Sequence, residues 1–186
     1  MLFRTVDRTT TGVTTITCTC GSSWKTTKIY VYEAKLELHA DEGEWWPPGN
    51  FWGHSWWVLS IDGASAILIA LNPDPDIRGL MDYLGTAGWW PKEEPKLWGS
   101  YPGFVMMGDQ NHIPTGSEDW RILFNSLISA LQYVKALDTS GGIWSAWSNN
   151  CTDQAVLVGE AAGVETIDAD DNPTLPSELS DWLNAH

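Results

Sequence analysis

The chain has 186 residues, 43% of them hydrophobic, and 10 basic against 24 acidic side chains give it a net charge of -14. That length holds one domain with a full core and is short for two. The composition is too apolar for disorder, and no unbroken apolar run reaches the roughly 18 residues of a membrane helix. The acidic balance repels phosphate backbones and anionic headgroups, which argues against nucleic acid as a partner.

The opening "MLFRTVDRTTTGVTTITC" has arginines but no apolar h-region and no small-residue cleavage site, so synthesis in the cytoplasm is expected, with signal-independent export left open. Residues 13–20, "VTTITCTC", and 27–38, "TKIYVYEAKLEL", are β-branched, aromatic and nearly alternating. They predict two strands forming a hairpin within residues 1–40. Cys18 and Cys20 share a strand face and lie too close in sequence for an unstrained disulfide, which with Cys151 as the third cysteine argues against structural disulfides. Half a zinc site could be read there, but no second Cys/His pair has ligand spacing, and no metal or cofactor is expected.

"ADEGEWWPPGNFWG" is loop chemistry around two prolines. In "HSWWVLSIDGASAILIAL" two apolar β-type runs meet across Asp62-Gly63, a hairpin signal. From Ile77 to Ser100 no period is sustained, and an irregular excursion with one short helix is expected. Beyond it Trp120, Leu123, Phe124, Leu127, Leu131 and Val134 recur at steps of three and four. With Ser117 as cap and Glu118 and Asp119 in the first turn, they predict a helix to about Leu137. A second helix is expected from Cys151 to Ala162, stopped by Gly163, and a third over "PSELSDWLNA", with Leu179, Trp182 and Leu183 on one side. "DADDNP" puts Asp168, Asp170 and Asn172 at calcium-loop spacing, but Pro173 and Leu179 stand where the loop needs glycine and glutamate, which leaves a solvated acidic turn. Glycine-rich phosphate loops, HExxH and GxSxG are absent from the sequence.

Thirteen tryptophans are the compositional anomaly. Doublets such as Trp56-Trp57 and Trp89-Trp90 place one indole on each face of a strand, so some belong to the core and others to a groove or a protein-binding surface.

Chemistry concentrates at "SNNCTDQAVLVGEAAGV". A cysteine in the first turn of a helix meets free N–H groups and the positive end of the helix dipole, both of which favour thiolate. Asn149 or Asn150 can cap that helix, and the other amide, with the Cys151 N–H, could hold an oxyanion. A base is also needed. Of His39, His54, His112 and His186, His54 opens a predicted strand directly after Gly53, where sheet would hold its ring. A third polar residue depends on register. A three-residue loop, Asp62 to Ala64, sets Asn72 across from His54, whereas a two-residue loop sets Leu71 there.

"GHSWWVLS" followed by "YPGFVMMGDQNH", "NNCTDQAVLVGEAAGV" and "LPSELSDWL" resembles the circularly permuted papain-like group, which includes permuted NlpC/P60 enzymes, lecithin:retinol acyltransferase-like proteins and PPPDE peptidases. The resemblance runs from Gly53 to the C-terminus and is similar in arrangement to bacterial papain-like proteins of poorly defined activity, some tied to toxins or effectors. It implies an α+β fold, an antiparallel sheet packed against helices that include a nucleophile-bearing helix, within a single domain whose core is 53–186. It also implies Cys151 as nucleophile and His54 as base; the chemistry of such a pair suits a thiol hydrolase or acyltransferase, and peptide, isopeptide, peptidoglycan-stem and lipid-ester substrates all fit it alike. Two rival expectations stand beside it: an inactive papain-like binding module, and a secretion- or phage-associated interaction domain with a Trp-rich surface.

Overall fold

The computed structural model describes residues 12–20, 23–31, 34–43, 53–62, 75–94, 99–109, 113–164 and 173–185. Along them run β1 (Gly12–Cys20), β2 (Ser23–Val31), β3 (Ala34–Asp41), β4 (His54–Ile61), the short helix α1 (Pro75–Leu80) with a 3-10 turn (Met81–Tyr83), β5 (Gly85–Pro91) and β6 (Ser100–Met107). Then follow β7 (Gly116–Ile122), α2 (Phe124–Ser140), β8 (Ile143–Ser145), α3 (Cys151–Ala161) and α4 (Pro176–Ala185). Strands β1 and β2 pair antiparallel, and β3 to β8 form a six-stranded antiparallel sheet in the order β7-β3-β4-β5-β6-β8. The chain is α+β, and among the described residues no helix is long and apolar enough to cross a membrane.

Side-chain alternation explains why this sheet has one core face. In β3 the sequence "AKLELHAD" buries Ala34, Leu36, Leu38 and Ala40 and turns Lys35, Glu37, His39 and Asp41 the other way. Trp57 and Leu59 of β4 and Ala87 and Trp89 of β5 join the same buried cluster. Three helices complete it with Leu127, Leu131 and Val134 of α2, Ala155, Val156 and Val158 of α3, and Leu179 and Leu183 of α4. Each such buried Leu or Val contributes about 1.5–3 kcal/mol relative to exposure. Gly103 lets Trp89 lie flat on β6, because a Cβ there would stand 2.0 Å from its ring.

Several expectations need correction. The predicted strand over 27–38 is two elements, since β2 ends at Val31 and β3 starts at Ala34. Strand β3 lies inside the large sheet, bonded to β4 on one side and β7 on the other, so it belongs with the core rather than with an N-terminal pair. The helix expected from Ser117 begins at Phe124, and Ser117 is no cap, for Gly116–Ile122 is β7. Trp120 and Phe124, four apart, satisfy a helical step, but Trp120 also lies opposite Leu36 and meets Trp182 in a tilted ring contact at 6.3 Å, while Asp119 meets Lys35 at 3.0 Å. The strand ladder and these cross-strand pairs outweigh the local period.

The irregular excursion hides β5, whose "GTAGWWP" has two glycines and only Thr86 as a strand former in its first half yet lies between β4 and β6. The second strand of the Asp62-Gly63 hairpin, Asn72, the acidic turn at 168–172, His112 and His186 lie outside the described residues. Helices α3 and α4 start where the sequence placed them, and Gly163, with φ of 79°, closes α3.

Candidate active site

Strand β4 begins with His54 because Gly53 turns the chain at φ of 63° and passes so near β3 that a Cβ would stand 2.1 Å from the Asp41 carbonyl. On its β3 side the ladder reaches His54, opposite Asp41; on its β5 side it stops at Trp56, opposite Gly88. The β4–β5 ladder thus ends before Ser55 and His54, and the start of α3 packs against β4 there. Ser55 Oγ and Thr152 Oγ1 lie 3.0 Å apart in a buried contact that pins helix to strand. The backbone N–H groups of Ser55 and Thr152 donate to the Cys151 sulfur, which is 7% exposed.

The turn before Cys151 is fixed by its two asparagines. Asn150 caps α3: its Oδ1 accepts from the N–H of Thr152 (2.7 Å) and of Asp153 (3.1 Å), and its own N–H donates to Asp153 Oδ2 at 2.9 Å, a complete capping box. Its Nδ2 donates to the carbonyls of Ala146 (3.2 Å) and Thr174 (2.8 Å). Asn149 turns its amide to the Ile143 carbonyl and to Gln154 Nε2. Both side chains, expected to serve an oxyanion, are therefore committed to holding the turn. The Cys151 N–H, at the first residue of the helix, has no carbonyl partner within it.

His54 Nε2 donates to Asp109 Oδ2 at 2.7 Å, and both residues are 2% exposed. Trp90 Nε1 donates to the same oxygen, also at 2.7 Å. With Nε2 committed to Asp109, Nδ1 is the ring nitrogen left for Cys151, with which His54 forms a hydrogen bond. Two indoles hold the ring: Trp90 at 4.2 Å and tilted, Trp56 at 5.9 Å and nearly parallel. The doublets have split across the sheet, Trp57 and Trp89 into the core and Trp56 and Trp90 onto the histidine.

Asp109 is the residue that sequence reasoning missed. It follows β6, two strands from His54, and reaches it across β5 where Gly88 leaves that strand without a side chain: a Cβ on Gly88 would stand 2.4 Å from Asp109 Oδ2 and 2.7 Å from His54 Nε2. The acid in "GDQNH" and the glycine in "TAGWW" were the available signals, and each gains meaning from the strand order. His39 lies beyond Trp56, stacked on it at 5.3 Å, with Glu37 3.3 Å from its Nε2. Burial pushes its imidazole below the ordinary value, against the pull of Glu37.

Electrostatics favour an ion pair. Burial presses the Cys151 thiol upward, but the His54 charge, the His54 hydrogen bond and the N–H groups of Ser55 and Thr152 outweigh it and bring the thiol below its ordinary value. For His54, burial acts to lower the pKa; the Cys151 charge, hydrogen bonds to Asp109 and Cys151, and the Asp109 charge win, raising it to about 9. The arrangement can present thiolate beside imidazolium, a nucleophile and a general acid. Among the described residues no group of three His, Cys, Asp or Glu side chains could hold a metal ion.

No family model, no curated protein and no solved structure matches the chain.

Proposed function

We propose that the protein is a cysteine-dependent hydrolase or acyltransferase acting on an amide or ester bond, with Cys151 as nucleophile, His54 as acid and base, and Asp109 orienting His54, on a permuted papain-like version of its α+β fold. The observation that carries this reading is the buried chain of hydrogen bonds from Asp109 through His54 to a cysteine in the first turn of α3. The thiolate attacks the carbonyl carbon, forming a C–S bond, while the carbonyl electrons move to oxygen and backbone N–H groups receive the oxyanion. Collapse expels an amine or alkoxide, which takes the proton from His54 and leaves a thioester. Neutral His54 then removes a proton from water or an acceptor amine, whose attack on the thioester breaks the C–S bond, releases the acyl group and restores the thiolate beside imidazolium. A peptide, a peptidoglycan stem or a lipid ester supplies such a carbonyl, and no added cofactor is required by these steps.

The test needs no natural substrate. With p-nitrophenyl acetate, the protein should release about one equivalent of nitrophenolate in a burst and carry an acetyl group on Cys151, by the logic of acyl-enzyme accumulation. A burst of the same size in Cys151→Ala would remove the reading and favour a binding module of the same architecture.

A further inference from the structure

Asn149 is the non-glycine residue of positive φ among the described residues, at 63°, and it stands two positions before the nucleophile. For an L-residue that conformation costs about 1–2 kcal/mol and persists where the surroundings impose it. Here they do so from three sides. The Asn149 carbonyl accepts from Trp89 Nε1 at 3.1 Å, its Nδ2 donates to the Ile143 carbonyl, and its Oδ1 accepts from Gln154 Nε2. Gln154 is itself held: it is 3% exposed, and its Oε1 accepts from the Tyr133 hydroxyl of α2 at 2.7 Å. A buried amide with both ends matched is rigid, since losing either partner strands a polar group away from water. The Asn149 turn leads into Asn150, whose extended backbone, with φ of -86° and ψ of -171°, sets the direction of the Asn150–Cys151 peptide.

We propose that Gln154 is a positioning residue: braced by Tyr133, it holds Asn149 in its left-handed turn and so aims the Cys151 backbone N–H at the oxyanion formed during acylation. The inference rests on the acyl-transfer reading above. It assigns the two asparagines different work, Asn150 completing the helix cap and Asn149 setting the angle at which the chain enters it. The Tyr133–Gln154–Asn149 relay acts on the electrophile's oxygen and leaves the thiolate, built by His54 and the helix end, as it was.

Two reactions of one sulfur separate these roles. Alkylation by iodoacetamide displaces iodide at a saturated carbon and forms no oxyanion, whereas acetylation by p-nitrophenyl acetate does. Both rates are measured at Cys151 by peptide mass mapping in wild type, Gln154→Met, Asn149→Gly and Tyr133→Phe. A misaimed oxyanion donor costs on the order of 10–100-fold. Gln154→Met and Asn149→Gly should lose that much in acetylation and stay within about twofold in alkylation, with a smaller loss of the same kind in Tyr133→Phe. If Gln154→Met does not fold, Asn149→Gly carries the test, because glycine adopts the left-handed turn without the side-chain bonds. Equal losses in both reactions would make the relay merely structural and overturn the proposal, as would no loss in either. A wild-type Cys151 that alkylates at about pH 6 but does not acetylate would overturn it while leaving the thiolate pair standing. A wild-type Cys151 that does neither would end the acyl-transfer reading and this proposal with it.

Discussion

Replacing Gly88 with alanine adds one methyl group where Asp109 and His54 meet. Its carbon would stand 2.4 Å from Asp109 Oδ2 and 2.7 Å from His54 Nε2. Ordinary non-bonded contacts with carbon lie at about 3.5–4.0 Å, so the carboxylate must retreat by about 1 Å. A 2.7 Å hydrogen bond stretched by that amount is no longer one. Overpacking of this kind costs about 1–3 kcal/mol of stability, and a 1 Å error in a catalytic group costs about 100-fold in rate. Gly88→Ala should therefore fold with a lowered urea midpoint and lose about 100-fold in acetylation by p-nitrophenyl acetate. The His54 imidazole, followed by NMR titration, should ionise below its value of about 9, because the bond and charge of Asp109 both raise it. It should not return fully to the ordinary value, since the Cys151 charge is the largest raising influence. Gly79→Ala is the control, for the nearest atom to its added Cβ is Lys135 Nζ at 3.8 Å. A Gly88→Ala protein with unchanged His54 titration and wild-type acetylation would refute the placement of Asp109.

Because the Cys151 thiol lies below its ordinary value, iodoacetamide should label it at mildly acidic pH, and His54→Ala should shift that labelling to alkaline pH while His39→Ala leaves it in place; unaltered labelling in His54→Ala, read by mass mapping, would count against the pair. The raised His54 value sets the opposite limb: the imidazolium is present below about 9 and lost above it, so acylation of poor leaving groups should fall as pH rises through about 9. Trp90→Phe keeps a ring against His54 but removes the N–H donated to Asp109, a charged hydrogen bond worth about 1.5–3 kcal/mol, and should slow acetylation more than alkylation; equal slowing would point to packing alone. Asn150→Ala loses the cap, worth about 0.5–2 kcal/mol, and strands the carbonyls of Ala146 and Thr174, so chemical denaturation should show a loss of about 2 kcal/mol or more, and one under about 0.5 kcal/mol would be inconsistent with the hydrogen bonds described.

What could be read in the sequence was what short-range chemistry controls. The start of α3 at Cys151 follows from a capping asparagine and an aspartate three positions on, and its end from Gly163, each signal acting within a turn of the helix end it sets. His54 was legible as a strand residue because "HSWWVLSI" has no other reading at that length. The errors arise where a contact spans the sheet. Asn72, which a hairpin register sets across from His54, lies outside the described residues; Asp109 escapes such local reasoning because it comes from the end of β6, with β5 between it and β4. The helix expected at Ser117 failed for a related reason: Trp120 and Phe124 fit two periods, and the choice is made by β3, some eighty positions earlier in the chain.

The tryptophans and the cysteine belong to one problem in electrostatics. Removing a thiolate and an imidazolium from water opposes both charges, and for Cys151 and His54 burial is the largest single influence, pushing each toward its neutral form. A cysteine buried to this degree for packing alone would have a raised pKa. The net direction here is the reverse, because the sulfur receives His54 and two backbone N–H groups at once, and His54 has Asp109 behind it. Trp56 and Trp90 make that compensation stronger, since indoles packed against the imidazole exclude the water that would screen it. An environment that only stored a small hydrophobic side chain would need neither the carboxylate, nor the indole N–H that fixes it, nor the missing side chain at Gly88; each of these serves a charge.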